Sequence, residues 1–500
     1  MTVDFAAYGD LMLALLPELV LTAWTLVLLL WVAWRHRTVA DLRIAGWLAL
    51  AALASTAAAA WWLWWNRAGI AGLPGMIAVD DFRWVADWIF LGAAALTVLI
   101  SFSYLEREQL FAAEYYVLLL FGTLGMMVMA GGTDLMVIFL GLELMSVAVY
   151  VLAGFDRKRA RSAEAALKYF LLGAFASGFL LYGIALIYGA TGTTNVAFIG
   201  AQVSLLGSPG VMLLAGLALL LVGFGFKIAA VPFHMWAPDV YDGAPTPVTA
   251  FMASGVKAAA FAALFRVMLQ GFAAVAAWHD ILWWLAAVTM IGGNLFALAQ
   301  RSLKRMLAYS SVAHAGYLLV AVVAGTTAAT AAFIVYAIAY TLMTLGAFAV
   351  LAAKGRGGES DVAIDDLAGL SARRPWLAFA LAVCMLSLLG FPGTAGFIGK
   401  WYILIAATSA GQNVLAAILV VTSVVSAGYY LPVIMAMYMK PEPIDAAHVD
   451  VVLDRWGRAA VAVIVAGLLL FGVWPNRLFD LARSAGQSVR PAITSTSTGQ

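Results

Sequence analysis

Apolar segments of about 20 residues recur along this chain from near its first residue to near its last. A segment of that length crosses the ~30 Å hydrocarbon core of a bilayer as an α-helix, which rises ~1.5 Å per residue. A soluble domain of this size would instead alternate apolar and polar faces along its helices and strands. The pattern therefore predicts an all-α polytopic membrane protein.

We number the predicted transmembrane spans 1 to 14 in chain order. They lie at residues 11–34, 42–65, 84–104, 113–131, 134–154, 163–188, 209–243, 247–270, 280–299, 303–324, 327–353, 376–408, 413–438 and 457–474. Spans 7 and 12 are predicted to be interrupted at Pro232 and Pro392, because proline lacks a backbone N–H and clashes with the preceding turn. Non-helical backbone at membrane depth is tolerated only against protein or a water-filled cavity, so we expect water near each break.

The basic residues predict the orientation of the spans. Eighteen of the 28 Lys and Arg residues fall in or beside alternate loops: Arg35, Arg37, Arg43, Arg107, Arg157, Lys158, Arg159, Arg161, Arg301, Lys304, Arg305, Lys354, Arg356, Arg373, Arg374, Lys440, Arg455 and Arg458. The opposite loops and the tail hold only Arg67, Arg83, Arg477, Arg483 and Arg490. Because cytoplasmic loops carry the excess of Lys and Arg, both termini are expected on the non-cytoplasmic side of a bacterial inner membrane.

The composition limits which partners, metals and cofactors we expect for this chain. The chain is 64% hydrophobic and 11% charged with a net charge of +2, which argues against nucleic acid as a partner and for the lipid bilayer. Its single cysteine, Cys384, leaves no disulfide within the chain and no cysteine-ligated iron–sulfur site. The five histidines show no metal-ligand spacing, so we expect neither a metal nor a bound cofactor in this chain.

Four ionisable residues are predicted deep in the membrane: Glu143, Lys227, Lys257 and Lys400. A buried charge costs at least ~2.5–3.5 kcal/mol, so such residues usually mark an ion or proton path. A Glu–Lys pair that forms and breaks would switch a lysine between holding and releasing a proton. The alternative is a fixed ion pair that only holds two helices together, although four deep ionisable groups exceed what that requires.

Other polar residues allow two interpretations each. His314, near the middle of span 10 and one turn after Ser310 and Ser311, is either a proton relay or a hydrogen-bonded core histidine. His234 follows the first break and is either a proton carrier or a residue that orders the loop. Lys168 is either functional or extended to the membrane surface, and Arg266 is predicted to extend there.

Glu18 and the remaining tyrosines and serines are assigned no definite role. Glu18 is shallower than Glu143 and its role is open, and the remaining tyrosines and serines are expected to have no special role.

Two interrupted spans five helices apart, each with a lysine, predict an inverted repeat. The predicted units are 1–112 (spans 1–3), 113–270 (spans 4–8), 271–440 (spans 9–13) and 441–500 (the last helix and a short tail).

Three motifs carry a resemblance to a known family. They are FKIAAVPFHMWAPDVYDGAPTPVTAFMASGVKAAAF (226–261), RMLAYSSVAHAGY (305–317) and GFPGTAGFIGKWY (390–402). The chain resembles the antiporter-like membrane subunits of complex I, the proton-pumping NADH:quinone oxidoreductase, over all fourteen spans. Lys400 in span 12 and the short segment after span 14 make it most similar to the subunit N branch.

The resemblance implies roles for these residues. Glu143 and Lys227 would form the switch, Lys257 would follow, Lys400 would end the path, Lys168 would modulate Glu143 and His314 would link the lysines. It also implies other membrane-arm and redox subunits as partners, which would hold NAD, FMN, the iron–sulfur clusters and the quinone. The alternatives left open are a component of a multisubunit Na⁺/H⁺ antiporter, a membrane-bound hydrogenase subunit, and a passive scaffold with frozen ion pairs.

Overall fold

The computed structural model describes residues 5–35, 38–67, 75–205, 209–353, 362–441 and 453–489. Within these ranges the chain is helical, and its only β-structure consists of isolated bridges such as Ile77 with Gly132. Four of the basic residues used to predict orientation, Arg37, Lys354, Arg356 and Arg490, lie outside the described residues.

The predicted all-α membrane architecture is confirmed. Thirteen described helices are long and apolar enough to cross a membrane: Leu16–Trp34, Val39–Asn66, Asp81–Arg107, Glu114–Gly131, Leu135–Ala153, Ala160–Thr191, Val211–Ile228, Thr246–Gly271, Ala277–Leu298, Leu303–Ala324, Thr327–Ala352, Asn413–Met439 and Arg455–Val473. Span 12 is the pair of shorter helices Pro375–Leu389 and Ala395–Ser409, so it is interrupted as predicted. Span 7 continues beyond its own break as Trp236–Gly243.

Polar caps fix where several spans begin. The Asp80 side chain accepts a hydrogen bond from the Arg83 backbone N–H at the start of span 3, and Asp134 accepts from Met136 at the start of span 5. Ser302 and Thr326 do the same for spans 10 and 11. Each cap satisfies a backbone donor that has no partner within its helix.

Three helices of ten or more residues in the described part of the chain were not predicted. The first apolar run is divided near Leu15 into Phe5–Ala14 and span 1, and Val196–Leu205 lies in the connection before span 7. The segment Asn476–Ser488, predicted as tail, is an amphipathic helix that packs against spans 3 and 11 through the small residues Ala482 and Ala485. Because one face of this helix is charged, its sequence contains no continuous apolar run of the kind that predicts a span.

Spans 8, 10 and 11 form the centre of the bundle. The apolar part of span 8 is completely buried, and those of spans 10 and 11 are 94% and 89% buried. In the apolar parts of spans 2, 6, 9 and 13 fewer than half of the residues are buried, which places these spans on the outside. A helix that is apolar all round belongs in such a core. The central position places Lys257 on span 8 and His314 on span 10 far from the lipid-facing surface.

Candidate functional site

The break in span 7 directly follows Lys227. The helix ends at Ile228, Ala229 adopts a left-handed conformation with φ 58°, and Pro232 follows a cis peptide bond. The indole of Trp236, on the second half of the span, donates a hydrogen bond to the Phe226 carbonyl at 2.9 Å. The same carbonyl also accepts from the Ala229 backbone N–H at 3.0 Å, so the indole ties the second half of the span to the last turn of the first half, where Lys227 lies.

The Lys227 ammonium is held by a hydroxyl and two aromatic rings. Its Nζ donates to Ser146 Oγ at 2.6 Å and lies 5.2 Å from the Tyr150 ring centroid and 5.3 Å from that of Tyr169. Such rings attract a cation through their negative faces. Lys227 is only 3% exposed, so the ammonium is almost fully removed from solvent.

Glu143 and Lys227 do not form a direct ion pair in this structure. The Glu143 carboxylate instead accepts a hydrogen bond from the hydroxyl of Ser177 on span 6. Ser146, which Lys227 contacts, lies three residues after Glu143 on the same helix and thus on a neighbouring part of its surface. The two charged groups are close enough to interact electrostatically but are held apart by different partners.

Lys257 occupies the centre of the bundle immediately after a π-helical turn, Met252–Val256. Such turns occur often at functional sites. The Lys257 Nζ donates to the Ser311 carbonyl at 2.6 Å and also to the Ser311 hydroxyl. Tyr340 on span 11 donates to the same hydroxyl at 2.9 Å, and its ring centroid is 6.0 Å from the ammonium.

Aromatic side chains connect Lys227 with the surroundings of Lys257. Tyr169, beside Lys227, stacks on Trp236 with ring centroids 4.4 Å apart. Trp236 meets Tyr241 edge-on at 5.7 Å, and Tyr241 interacts with Ser311 and Tyr340. The second half of span 7 thus fills the space between the two lysines.

Tyrosines surround His314 on several sides. Its Nδ1 is hydrogen-bonded to the hydroxyl of Tyr336 on span 11, and its Nε2 lies 3.0 Å from the hydroxyl of Tyr430 on span 13. The Tyr340 ring lies 5.2 Å away and the Tyr317 ring 5.3 Å away, between centroids. His314 therefore contacts Tyr340, whose ring lies beside Lys257, and Tyr317, whose ring lies beside Lys400.

Lys400 bridges the break in span 12. Its Nζ donates to the carbonyls of Leu388 and Leu389 at 2.9 and 3.0 Å, and lies 4.7 Å from the Tyr317 ring centroid. These carbonyls end the first half of the span, where helix dipoles favour a cation. Gly390 has φ 88°, and a Cβ there would approach the Lys400 side chain to 3.1 Å.

Two predicted site residues lie apart from this series. Lys168 is 40% exposed and pairs with Glu164 and Asp239, both at under 3 Å, and Arg305 also contacts Asp239. These charges line a polar cavity of about 190 Å³. The His234 ring stacks on Phe296 with centroids 5.9 Å apart, and its described contacts include none of the four deep residues.

The structure contradicts the prediction that Arg266 extends to the membrane surface. Arg266 is fully buried and forms a two-armed ion pair with Asp80, with Nη1 2.7 Å from Oδ2 and Nη2 3.1 Å from Oδ1. Its Nε also donates to the Ala130 carbonyl at 3.2 Å. The partner comes from another span, so the distance of Arg266 from its own helix end could not reveal it.

Sequence reasoning also missed the hydroxyls that join the lysines. Ser146, Tyr336 and Tyr430 hydrogen-bond to predicted residues directly, and Tyr340 bonds the Ser311 hydroxyl that also accepts from Lys257, although no special role was expected for them. One available signal was the spacing of Tyr336 and Tyr340, which puts both hydroxyls on the same face of span 11. Asn294 donates to the Tyr317 hydroxyl and accepts from Tyr429. As a polar residue within an apolar span, it was a second available signal.

Comparisons with known proteins agree with this architecture. A family model described as "NADH:quinone oxidoreductase/Mrp antiporter, TM" matches residues 132–426. NADH-quinone oxidoreductase subunit N of Gemmatimonas aurantiaca is 47% identical over 98% of this chain and 96% of its own length. The protein of the same name from Trichlorobacter lovleyi is 51% identical over 83% of this chain and 85% of its own length.

Solved structures share the fold. A chain of respiratory complex I from Thermus thermophilus with bound Aureothin has a TM-score of 0.79 at 38% identity, covering 93% of this chain and 99% of that one. A chain of the Mrp complex from Dietzia sp. DQ12-45-1b has a TM-score of 0.81 at 22% identity, covering 96% and 97%, which shows a common fold alone.

The fourteen spans found in the described ranges, two of them broken beside buried lysines, define an antiporter-like membrane protein. The chain belongs to the NADH:quinone oxidoreductase/Mrp antiporter family of membrane subunits, in the branch of the complex I subunit N proteins.

Proposed function

We propose that this chain translocates protons as a membrane-arm subunit of an NADH:quinone oxidoreductase, driven by quinone reduction in partner subunits. NAD, FMN, the iron–sulfur clusters and the quinone would belong to those partners. The relatives named NADH-quinone oxidoreductase subunit N favour this pump over an Na⁺/H⁺ antiporter component or a hydrogenase subunit.

One observation carries the proposal. Lys227, Lys257 and Lys400 are 3%, 1% and 6% exposed, and within the described ranges none has a carboxylate oxygen within 4.0 Å of its Nζ. They contact hydroxyls, carbonyls and aromatic rings instead. An unpaired charge is costly in a buried site, so both the charged and the neutral lysine are accessible there. Frozen ion pairs, the scaffold alternative, would instead give each lysine a permanent partner.

Glu143 supplies the switch in this scheme. While its carboxylate accepts from Ser177, Lys227 has no counter-charge in direct contact and releases its proton more readily than it would from an ion pair. If the carboxylate turns towards Lys227, the ammonium is stabilised and a proton is retained. Loss of the Lys227 proton would then favour uptake at Lys257, because two nearby like charges disfavour each other.

The remaining route runs through hydroxyls and one imidazole. Ser311 and Tyr340 contact Lys257, the Tyr340 ring lies beside His314, and His314 lies beside Tyr317 and hence Lys400. Hydroxyls and imidazole both donate and accept, so each can pass a proton on. Lys168 would act at a distance, through the cavity that it shares with Asp239, and His234 would order the break.

The proposal includes an arrangement of the chain. Residues 113–270 and 271–440 would be two inverted five-helix units, preceded by 1–112 and followed by 441–500. Both termini would lie on the non-cytoplasmic side of the bacterial inner membrane. This arrangement brings Lys227 and Lys400 to equivalent positions in the two units.

Substitution of the switch pair tests the function. Glu143→Ala and Lys227→Ala should sharply reduce proton uptake per NADH oxidised in vesicles while the complex still assembles, and Glu143→Asp should be milder because it keeps the charge. Glu106→Ala and Lys440→Ala, which remove charges from exposed surface pairs, are matched controls. Normal coupled uptake in both switch variants at full assembly would refute the proposal.

A further inference from the structure

A second group of buried charges lies outside the lysine series. It comprises Glu18 on span 1, Asp80, Arg83 and Asp87 at the start of span 3, and Arg266 near the end of span 8. We call this set the arginine–carboxylate cluster. Asp87 is six residues inside its span and only 3% exposed, the same fraction as Lys227.

Two of the three carboxylates in the cluster have their own guanidinium. Asp80 holds Arg266 through two hydrogen bonds, and Glu18 accepts from Arg83 Nη2 with its two oxygens at 2.6 and 2.7 Å. Burial alone would raise the pKa of the Asp80 carboxyl, but the charges of Arg266 and Arg83 outweigh burial and hold the pKa below its ordinary value. Asp80 is therefore ionised at neutral pH.

Asp87 has no such partner. Its Oδ2 is 3.7 Å from Arg83 Nε, beyond hydrogen-bond distance, and its Oδ1 is buried without a described hydrogen-bond partner. Arg83 Nη1 and Nη2 are already used by Glu18 and by the carbonyls of Ala14 and Ala78. Its Nε, the atom that faces Asp87, is buried without a described hydrogen-bond partner at that distance. Arg67, the other cation nearby, is paired with Asp81.

The local charges do not balance if every group is ionised. Among the described residues joined by these ion pairs, Glu18, Asp80, Asp81 and Asp87 supply four negative charges, and Arg67, Arg83 and Arg266 supply three positive ones. An unpaired buried carboxylate is costly enough that such a group takes up a proton instead. The geometry singles out Asp87, because the other three carboxylates hold a guanidinium directly.

A small cavity adjoins this carboxyl. Its volume is about 20 Å³, and its charged lining residues are Arg67, Asp80, Arg83 and Asp87. That volume has room for one water molecule, which needs polar partners of this kind. Trp64 and Pro17 also line the cavity, and the Trp64 indole donates a hydrogen bond to Asp81. The cavity provides the Asp87 carboxyl with a place to exchange a proton.

We infer that Asp87 is a proton-binding site, separate from the lysine series, whose carboxyl is a neutral acid in the resting protein. A neutral acid both donates to and accepts from a single water in the cavity, whereas a carboxylate only accepts. Under the proposed orientation this site lies just beneath the non-cytoplasmic surface. It does not depend on the roles assigned to Glu143 and the lysines.

Infrared spectroscopy of the purified complex tests the inference directly. A protonated carboxylic acid has a carbonyl stretch distinct from that of a carboxylate. We expect this band at neutral pH, lost in Asp87→Asn and shifted in Asp87→Glu. If wild type and Asp87→Asn have the same carboxylic acid bands, Asp87 is ionised and the inference is wrong. Binding of sodium in place of a proton would give that second result.

Assembly of the complex gives an independent check. Asp87→Asn resembles the neutral acid in shape and charge, so it should assemble in wild-type amounts. Glu18→Gln and Asp80→Asn make the same chemical change but leave a buried guanidinium without its counter-ion, and they should lose most of the assembled complex. Loss of assembly in Asp87→Asn as severe as in Glu18→Gln would show that Asp87 is a charged partner of Arg83.

Discussion

Lys227 donates a hydrogen bond to Ser146 at 2.6 Å, and Ser146 lies one turn after Glu143 on span 5. The proposed switch pair is therefore joined through a hydroxyl on the glutamate's own helix and not by direct contact. Ser146 holds the ammonium within reach of the carboxylate while Ser177 holds the carboxylate back.

Removing the Ser146 hydroxyl should weaken the switch without removing either charge. Ser146→Ala is expected to lower coupled proton uptake roughly fivefold, the factor for one hydrogen bond of about 1 kcal/mol. Thr56→Ala is the control, because that buried hydroxyl has its described bond with the Ala52 carbonyl of its own helix. Uptake in Ser146→Ala equal to that of the control would mean that the contact has no part in the switch.

The tyrosines around His314 offer a second test. Tyr430→Phe keeps the ring but removes the hydroxyl that bonds His314 Nε2 and Ser310. Loss of the His314 bond should lower coupled uptake about fivefold, the factor for one hydrogen bond of about 1 kcal/mol. Tyr116→Phe removes a buried hydroxyl outside the proposed route and should be silent. A silent Tyr430→Phe variant would favour a purely structural histidine.

The buried pair of Arg266 and Asp80 should matter for stability. Arg266→Ala takes the guanidinium away from the Asp80 carboxylate, which is only 16% exposed, and loss of one partner of such a pair costs up to about 3–5 kcal/mol. The double variant Arg266→Ala with Asp80→Ala should recover much of the loss, since no unpaired charge remains. Thermal stability of the chain in its complex measures both. A double variant less stable than Arg266→Ala alone would contradict this account of the pair.

Orientation can be measured by labelling single cysteines after Cys384→Ala. Ala160→Cys lies at an exposed position within the basic 157–161 segment, and Gln487→Cys is exposed on the C-terminal helix. In intact cells a membrane-impermeant thiol reagent should label the second and not the first. Ser162 would be a poor choice for the first site because its side chain is buried and donates to the Ala153 carbonyl. The reverse pattern of labelling would overturn the proposed orientation.

The spans and the deep charges could be predicted because both depend on local sequence. Apolar length sets where a helix crosses the membrane, and Pro232 and Pro392 interrupt helices whatever their neighbours. The predicted span 5 at 134–154 and the observed Leu135–Ala153 differ by one residue at each end.

Partners across spans could not be predicted, because they depend on which helix faces meet. Nothing near Arg266 in the chain indicates Asp80, 186 residues away. Likewise, Glu143 was expected to act as a pair with Lys227, but Ser177 on span 6 binds the Glu143 carboxylate and Ser146 binds the Lys227 ammonium. Neither contact can be read from the residues that surround it in the chain. The amphipathic helix at 476–488 depends on packing against spans 3 and 11, which its own sequence does not specify.

The central claim is that buried lysines change charge during turnover, and Lys400 allows the most direct test. Arginine at this position can keep the positive charge and donate to the Leu388 and Leu389 carbonyls, but it stays protonated at any working pH. Proton uptake should be measured in vesicles alongside NADH oxidation for Lys400→Arg and Lys400→Ala. We predict that the arginine variant assembles and yet is nearly as defective in proton uptake as the alanine variant. Near-wild-type uptake in Lys400→Arg would contradict the claim, because Lys400 would then only hold the two halves of span 12 together.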